Sequence, residues 1–329
     1  MKIVVVIALM LSLCGTASAQ KISLTSLPKS HFNLKKGKIE AGDYSGITQI
    51  NDSVYVIISD KGSIVIIGVK YDKKLEVTHI KSVEVDKNRD IEGVAYFPKH
   101  NSLLVSGEGD QRILEYTLDG ELTGQEMMIP HEFDKENIAR NGGFESLTYN
   151  EHTKQFWTTT EMPLKQDSTL NGEAVRLICF NEDFQPESQW LYPLTEHTMK
   201  GRYKLKVHGV SDLLALDDGR LLVVERTVVV KAKYIGSFCE TVLYLVNPHE
   251  SDANSYTSKT QVMSIKTKLK LTDLVSGTRY ANYEGICFGP KLNDGSQSVL
   301  LICDSQHRKG NALCRLKDEI ILYSINTKP

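Results

Sequence analysis

Acidic residues recur at two places in a repeating pattern along this sequence. The first set stands at the start of a short apolar segment: Glu92, Glu145, Asp212 and Glu284, with Asp43 and Ser45 near the matching place of the first repeat. The second set ends the apolar segment that follows: Asp60, Glu108, Glu161, Glu225 and Asp304. Carboxylates that are held close together either acquire raised pKa values or bind a cation. The pattern therefore predicts a cation site where the two sets meet.

The chemistry that such a site would support is metal-assisted hydrolysis. A hard cation such as Ca²⁺ takes about six to eight oxygen ligands and tolerates irregular geometry, and a bound metal lowers the pKa of water and stabilises developing negative charge. We expect Ca²⁺ to be held by Glu92, Glu145, Asp212 and Glu284. The predicted catalytic residues are Asp212, Glu145 and His307.

Basic residues near the same strand ends could contact an anionic substrate. They are Arg140, His208, Arg226 and Arg308. Guanidinium groups bind phosphate and carboxylate groups with good geometry. The alternative is that these side chains pair with the acidic residues and only neutralise them. A further alternative applies to each acidic residue singly, because carboxylates at strand corners often accept hydrogen bonds from nearby backbone N–H groups.

The elements that position these residues are β-strands. Short β-branched and aromatic runs separated by Asn, Asp and Gly turns are typical of strands, as in SVYVIIS, NSLLVSG, KQFWTTT, GRLLVVE and SVLLICD. Each repeat continues with a third apolar strand and then a more polar fourth segment, which is the organisation of a β-propeller blade. In an antiparallel hairpin the end of the second strand lies beside the start of the first. Both acidic sets should therefore lie at one end of a central channel.

The repeats predict an all-β fold, a β-propeller of five four-stranded blades. The last repeat ends at EIILYSINTKP with only three strands, and KISLTSLPK near the N-terminus has no repeat of its own. We therefore expect the N-terminal strand to complete the last blade and close the ring. Insertions in the third and fourth repeats leave six blades as an alternative, and a β-sandwich or two β-domains is another.

The N-terminus predicts export to the periplasm or the cell exterior. Lys2, the apolar run IVVVIALMLSL and the ending ASA have the order of a secretory signal peptide over residues 1–19. Residues 20–329 would then form a single propeller domain. A lipoprotein anchored through Cys14 is an alternative that Leu13 disfavours, because a small residue is expected before a lipidated cysteine. No later segment has the roughly 20 apolar residues that span a bilayer.

Composition and missing motifs exclude several classes of protein. The formal net charge is −2, so there is no basic excess for nucleic-acid binding. The cysteines outside the predicted leader are irregularly spaced and have no CxxC pair, which argues against a zinc site or a disulfide framework: Cys179, Cys239, Cys287, Cys303 and Cys314. We expect most of them to be buried, and a Cys303–Cys314 bridge is the alternative. Neither G-x-S-x-G nor H-E-x-x-H occurs.

The segments RDIEGVAY, NGGFESLTY, KVHGVSDLLALDDGRLLVVER and NYEGICF resemble those of the phytase-like family, described by esterase-like activity of phytase. The likeness covers roughly residues 40–325, and the Glu-Gly motif is shared with SdiA-regulated and lactonase-type propellers. The resemblance implies a propeller fold and a metal-supported hydrolase of phosphate or carboxylic esters. The positions that match the family's acidic motifs are Glu92, Glu145, Asp212, Glu284 and Glu225-Arg226. The first repeat departs, because Ser45 stands before Gly46 where the family has Glu.

Two functional hypotheses follow. The first is an exported, Ca²⁺-supported hydrolase that acts on small anionic phosphoesters or related esters at the acidic end of the channel. The second is a non-catalytic propeller that binds a ligand or a protein partner across the acidic face, with the metal serving stability alone. Propellers host both kinds of function, so the fold does not choose between them.

Overall fold

The computed structural model describes residues 21–40, 42–168, 173–196, 202–269, 278–306 and 314–328. Within these ranges the chain contains β-strands and five short 3-10 helices, at Leu34–Gly37, Lys87–Arg89, His131–Phe133, Lys135–Asn137 and Pro248–Glu250. No helix in this part of the chain is long and apolar enough to cross a membrane. The predicted signal peptide, with Cys14, lies outside the described residues.

The strands follow one another along the chain, some joined by tight turns and others by longer segments such as residues 127–147. In chain order they are β1 (Lys21–Asn33), β2 (Tyr44–Asn51), β3 (Val54–Ser59), β4 (Ser63–Tyr71), β5 (Leu75–Glu84), β6 (Ile91–Phe97), β7 (Ser102–Gly107), β8 (Arg112–Thr117), β9 (Leu122–Glu126), β10 (Thr148–Asn150), β11 (Gln155–Thr158), β12 (Ala174–Asn181), β13 (Pro186–Pro193), β14 (Tyr203–Ala215), β15 (Leu221–Lys231), β16 (Phe238–Val246), β17 (Lys259–Lys268), β18 (Thr278–Tyr280), β19 (Asn282–Gly289), β20 (Ser298–Asp304), β21 (Cys314–Leu316) and β22 (Glu319–Lys328).

These strands form five four-stranded antiparallel sheets, which confirms the predicted all-β organisation. The sheet orders are β2-β3-β4-β5, β6-β7-β8-β9, β10-β11-β12-β13, β14-β15-β16-β17 and β19-β20-β22-β1. A separate parallel pair joins β18 to β21. The β-branched and aromatic residues that predicted the strands occupy the sheet interiors, where such side chains pack well on a pleated surface.

The first strand of each sheet lies at the centre of the molecule. Strand β2 contacts β6, β6 contacts β10, β10 contacts β14, β14 contacts β19, and β19 contacts β2. Five sheets whose inner strands close a ring form a five-bladed β-propeller. The prediction of five blades is therefore confirmed, and the alternatives of six blades and of a sandwich are wrong.

The ring is closed by the two ends of the chain. Strand β1 pairs antiparallel with β22, from Lys21 opposite Lys328 to Asn33 opposite Glu319. Because β22 lies between β20 and β1, the N-terminal strand is the outer strand of the last blade. This confirms the predicted closure, and the backbone pairing leaves the last blade with its full four strands.

The core lies between neighbouring blades. Between the last and the first blade, for example, Ile57, Ile67, Leu300 and Leu322 are all 0% exposed. Complete burial of such a side chain contributes about 1.5–3 kcal/mol, so each blade is stabilised chiefly by its neighbours. The cysteines are packing residues: Cys179, Cys239, Cys287 and Cys303 are all buried.

The inner strands approach so closely that side chains are excluded at some positions. A Cβ atom on Gly93 would lie 2.4 Å from the carbonyl carbon of Ser146 and 2.6 Å from the nitrogen of Leu147. Glycine is the residue that permits such an approach between backbones. The glycine after Glu92 is therefore required for the second and third blades to meet at the channel.

Candidate functional site

A β-bulge near the start of the inner strand decides which side chains face the channel. The inner and second strands lose register between Tyr44 and Gly46, between Ile91 and Val94, between Val210 and Asp212, and between Tyr283 and Gly285. A bulge of this kind re-aims the side chain of the extra residue. The bulge residues, with the matching residue of the third blade, are Ser45, Glu92, Glu145, Ser211 and Glu284. In each blade, the residue just before the bulge residue pairs with a residue of the second strand, and we call the next residue of that second strand the exit residue. The exit residues are Asp60, Glu108, Glu161, Arg226 and Asp304.

All of these residues except Ser211 open into one cavity of about 920 Å³, which we call the acidic mouth. Its carboxylates are Asp43, Asp60, Asp90, Glu92, Glu108, Glu145, Glu161, Glu284 and Asp304, and its basic side chains are Lys61, Arg140 and Arg226. Of the predicted metal ligands, the structure brings together Glu92, Glu145 and Glu284. Of the predicted substrate-binding residues, it brings Arg140 and Arg226 to the same cavity.

The fourth blade departs from the acidic pattern. Val210 lies opposite Glu225 and Gly209 opposite Arg226, so the bulge residue of this blade is Ser211 and the exit residue is Arg226. The repeating pattern of the sequence places Asp212 and Glu225 at the positions of the acids in the other blades. A shift of one residue moves a side chain to the opposite face of a strand. Neither carboxylate belongs to the described lining of the acidic mouth.

Asp212 instead joins two inner strands. It is 3% exposed, and its carboxylate accepts hydrogen bonds from the backbone N–H of Leu213 at 2.8 Å and of Ile286, in the last blade, at 2.7 Å. Burial raises the pKa of Asp212 well above its usual range, against the effect of the backbone donors. The structure places Asp212 in the packing between blades, and this position gives its predicted roles in metal binding and catalysis no support.

Glu225 and His208 belong to a second buried network in the fourth blade. Glu225 accepts a hydrogen bond from the Tyr192 hydroxyl at 2.6 Å and pairs with the ammonium group of Lys259. His208 shares a hydrogen bond of 2.9 Å with the Thr227 hydroxyl, and its Nε2 lies 3.8 Å from Glu225. These contacts hold the predicted substrate ligand His208 away from the described lining of the acidic mouth.

Arg226 neutralises one side of the acidic mouth. Its two terminal nitrogens donate to Glu161 and to Glu284, which are 3% and 9% exposed. Burial alone would lower the pKa of Arg226, but the charges of Glu161 and Glu145 more than offset this and raise it above its usual range. Arg226 is therefore a permanently charged group in a fixed position, and Glu284 is one of its two counter-ions.

On the other side, five carboxylates form two groups with the spacing of metal ligands. Asp60, Asp90 and Glu92 form one group, and Glu92, Glu108 and Glu145 form the other, with one oxygen of each residue within 4.8 Å of the others. Glu92 belongs to both groups. Among the residues that the structure describes, no basic side chain pairs with Asp90, Glu92 or Glu145. These clusters could hold a metal ion.

Burial and crowding favour the protonated form of these carboxyl groups. Burial, and then the charge of Glu145, raise the pKa of Glu92 well above its usual range. Burial and the charge of Glu161 do the same for Glu145. Burial raises the pKa of Asp304 to about 7 and also raises that of Asp60. A divalent cation would remove this repulsion and favour the charged forms.

Asp90 is a member of the site that the sequence patterns did not single out. It stands two residues before Glu92, as Asp43 stands two residues before Ser45, so its spacing could have identified it. Its backbone has φ of 52°, a left-handed conformation that Asp tolerates better than most residues. Its carbonyl oxygen accepts the N–H of Glu108 at 2.8 Å, which connects the start of the inner strand to the end of the second.

Arg140 is an exposed cation at the rim of the acidic mouth. Nearby, the N–H of Gly143 donates to Glu108 at 3.1 Å and anchors the loop that carries Arg140. Within the described ranges Arg140 has no ion pair, whereas Lys61 and Arg226 each pair with carboxylates. The other two basic residues predicted for this site, His307 and Arg308, lie outside the described residues.

Comparison with solved structures finds distant likenesses. A protein of unknown function from Bacteroides caccae has a TM-score of 0.37 and 12% identity over 76% of this chain and 82% of that chain. The WD40 β-propeller domain of Doa1 has a TM-score of 0.35 and 10% identity over 92% and 97%. The periplasmic gluconolactonase of Pseudomonas aeruginosa has a TM-score of 0.35 and 15% identity over 78% and 61%. We draw nothing from scores this low, and the propeller assignment rests on the sheets themselves.

Comparison of the sequence identifies a family. No curated protein matches the chain. The family model for phytase-like proteins, described as esterase-like activity of phytase, matches residues 39–306. That segment contains all five inner strands and every described residue of the acidic mouth. The chain belongs to this phytase-like family.

Proposed function

We propose that this protein is a Ca²⁺-dependent hydrolase of phosphoester or related ester bonds, and that the acidic mouth is its active site. The observation that carries the proposal is that carboxylates without basic partners lie beside two guanidinium groups in one cavity. Carboxylates hold a hard cation, and guanidinium groups hold an anionic substrate. We further propose that the protein acts after export, on small molecules that can enter the mouth.

The donor atoms suit Ca²⁺. Asp60, Asp90, Glu92, Glu108 and Glu145 offer only carboxylate oxygens, which hard cations prefer to nitrogen or sulfur. The Oδ1 atom of Asp60 is buried and has no hydrogen-bond partner in the described chain. An unpaired buried oxygen is costly, and a cation would satisfy it. The irregular arrangement fits Ca²⁺ better than Mg²⁺, which demands near-ideal octahedral geometry.

This set differs from the ligands expected from the sequence. Glu92 and Glu145 remain, whereas Glu284 pairs with Arg226 and Asp212 accepts backbone hydrogen bonds. Asp60, Asp90 and Glu108 take their places. The ion would therefore lie beside the first three blades, on the side of the mouth away from Arg226.

The reaction would combine the ion with groups that this chain holds in place. When bound, Ca²⁺ would polarise the ester oxygen and lower the pKa of a water molecule. Arg140, which has no carboxylate partner in the described ranges, would bind and orient the anionic group at the rim. Arg226, fixed by Glu161 and Glu284, would present positive charge where negative charge develops.

Glu145 is the carboxyl group best placed to hold or release a proton. It lies within 4.8 Å of Glu92 and Glu108 and also interacts electrostatically with Arg226. Its pKa is raised by burial and by Glu161, and a carboxyl group with a raised pKa is a better proton acceptor near neutral pH. We therefore assign proton transfer to Glu145 in place of Asp212.

The test is turnover of aryl phosphates, aryl phosphodiesters and aryl acetates with Ca²⁺ and with EDTA. We expect activity with Ca²⁺, its loss in EDTA, and its return when Ca²⁺ is added back. Glu92→Gln removes the carboxylate shared by both groups and should lower kcat/KM at least about 100-fold, because a metal supplies several kcal/mol of transition-state stabilisation. Glu121→Gln, an exposed acid in a turn of the second blade, is the matched control and should change kcat/KM less than twofold.

The outcomes separate the two hypotheses. If Ca²⁺ binds stoichiometrically by calorimetry and no ester of the panel is hydrolysed, the protein is a binding propeller and the catalytic proposal is wrong. If neither Ca²⁺ nor another divalent cation binds, the assignment of the five carboxylates is wrong as well.

A further inference from the structure

The first hairpin of the fourth blade extends beyond the acidic mouth. Strand β14 begins at Tyr203, eight residues before the bulge residue Ser211, whereas β2, β6 and β19 begin one or two residues before theirs. Pairing with β15 continues out to Tyr203 opposite Lys231. At about 3.3 Å per residue, the hairpin reaches about 20 Å past the level of Arg226.

The end of this hairpin is basic. We call residues 202–206 and 231–235 the basic arm. It contains five cations and no carboxylate, in a chain whose formal net charge is −2: Arg202, Lys204, Lys206, Lys231 and Lys233. In the described part of the chain, Arg202, Lys204, Lys231 and Lys233 have no acidic partner. Their charge is therefore available to an external anion.

The same arm exposes apolar side chains. Tyr203 and Leu205 are each 48% exposed, Tyr234 is 55% exposed and Ile235 is 41% exposed. These are half of the large hydrophobic side chains that are exposed in the described ranges. Exposed apolar residues that cluster, rather than scatter, mark interaction surfaces.

The arm is held in shape by its own contacts. The ammonium group of Lys204 lies 4.2 Å from the centre of the Tyr234 ring and donates a hydrogen bond of 2.8 Å to its hydroxyl. The N–H of Ala232 donates to the carbonyl oxygen of Arg202 at 3.3 Å. Cations and aromatic rings are thus presented together on one preformed tip.

We infer that the basic arm docks on an anionic lipid surface. Lys and Arg would contact lipid phosphates, and Leu205, Ile235 and the two tyrosines would enter the interfacial layer, where Tyr is favoured. A soluble polyanion could engage the cations but would leave these apolar side chains in water. Docking by this arm would hold the mouth facing the bilayer, and the inference does not depend on the proposed hydrolase activity.

The test is sedimentation of residues 20–329 with vesicles of phosphatidylglycerol and phosphatidylcholine, compared with vesicles of pure phosphatidylcholine. We expect binding to the anionic vesicles that weakens with salt. Each basic residue near an anionic surface raises the partition coefficient about fivefold. The double variant Lys204→Gln with Lys233→Gln should therefore lower it about 30-fold. Leu205→Ser with Ile235→Ser should lower it at least about fivefold by removing apolar insertion.

Matched controls come from the opposite end of the channel. Lys73 and Lys291 are exposed there, and Leu122 is 60% exposed on the outer strand of the second blade. Lys73→Gln with Lys291→Gln, and Leu122→Ser, should leave the partition coefficient within twofold of wild type. Equal binding to neutral and anionic vesicles, or equal losses in the controls, would overturn the proposal. So would retention on heparin without sedimentation with anionic vesicles, because the arm would then recognise a polyanion.

Discussion

Removing the guanidinium group of Arg226 should destabilise the protein by about 3–5 kcal/mol when no divalent cation is present. Arg226→Met leaves Glu161 and Glu284 buried without a counter-charge, and breaking a buried pair from one side typically costs this much. Protonation limits the loss. For a carboxyl group with an unfolded pKa of about 4.3, protonation at pH 7.5 costs about 4 kcal/mol.

The assay is urea unfolding at pH 7.5, in EDTA and in excess Ca²⁺. In EDTA the full loss should appear. With Ca²⁺ it should shrink, because the ion offsets part of the additional negative charge in the mouth. At pH 5 the loss should also shrink, because both carboxyl groups are then easier to protonate. Arg226→Lys should recover only part of the stability, since one ammonium group cannot reproduce a guanidinium that donates to both carboxylates.

Arg112→Met is the matched control. Arg112 pairs with Glu126 on the surface of the second blade, where the two side chains are 53% and 48% exposed. Exposed pairs of this kind contribute about 0–1 kcal/mol. If Arg226→Met lost no more stability in EDTA than Arg112→Met, the assignment of Arg226 as the counter-ion of two buried carboxylates would be refuted.

Two further predictions follow from the buried carboxyl groups. In EDTA, stability should fall as the pH rises from about 4 to about 7. The reason is that burial raises the pKa of Asp304 to about 7, so the folded state binds this proton more tightly than the unfolded state, by up to about 4 kcal/mol. Asp304→Asn should make stability depend less steeply on pH, and an unchanged pH dependence in this variant would contradict the prediction. Asp212→Ala leaves the N–H groups of Leu213 and Ile286 without their acceptor and should lower the free energy of unfolding by about 2–4 kcal/mol. The Kd for Ca²⁺ measured by calorimetry should stay within twofold of wild type. A large loss of Ca²⁺ affinity in a folded variant would instead identify Asp212 as a ligand.

The blades were predictable because each one repeats the same local pattern. Runs such as those of β3, β7 and β20 bury both faces between neighbouring blades, so their central residues are apolar, and turn residues flank them at both ends. The unpaired strand near the N-terminus could be placed because the last repeat lacked one partner. The parallel pair of β18 and β21 could not be predicted, since two three-residue strands carry almost no pattern.

The site was predictable wherever a blade keeps both of its acids. Glu92, Glu145 and Glu284 lie at the start of the inner strand and line the mouth as expected. So do Asp60, Glu108, Glu161 and Asp304 at the end of the second strand. Arg140 was expected as a cation, but its place at the rim depends on a loop held by the hydrogen bond from Gly143 to Glu108, and irregular loops leave no periodic signal. The basic arm has the alternation YKLKV, yet its projection depends on how far β15 pairs with β14.

The one-residue difference in the fourth blade decides what the acidic mouth can do. If Asp212 and Glu225 had been ring members, carboxylates would surround the mouth evenly and no side would be favoured for a cation. The bulge at Ser211 turns both of them away and brings Arg226 to the exit position instead. This single cation neutralises Glu161 and Glu284. Asp90, Glu92 and Glu145 are left without a basic partner among the described residues. The position of the metal-capable group is therefore set by where the arginine lies, and a pattern search for acids alone could not have found it.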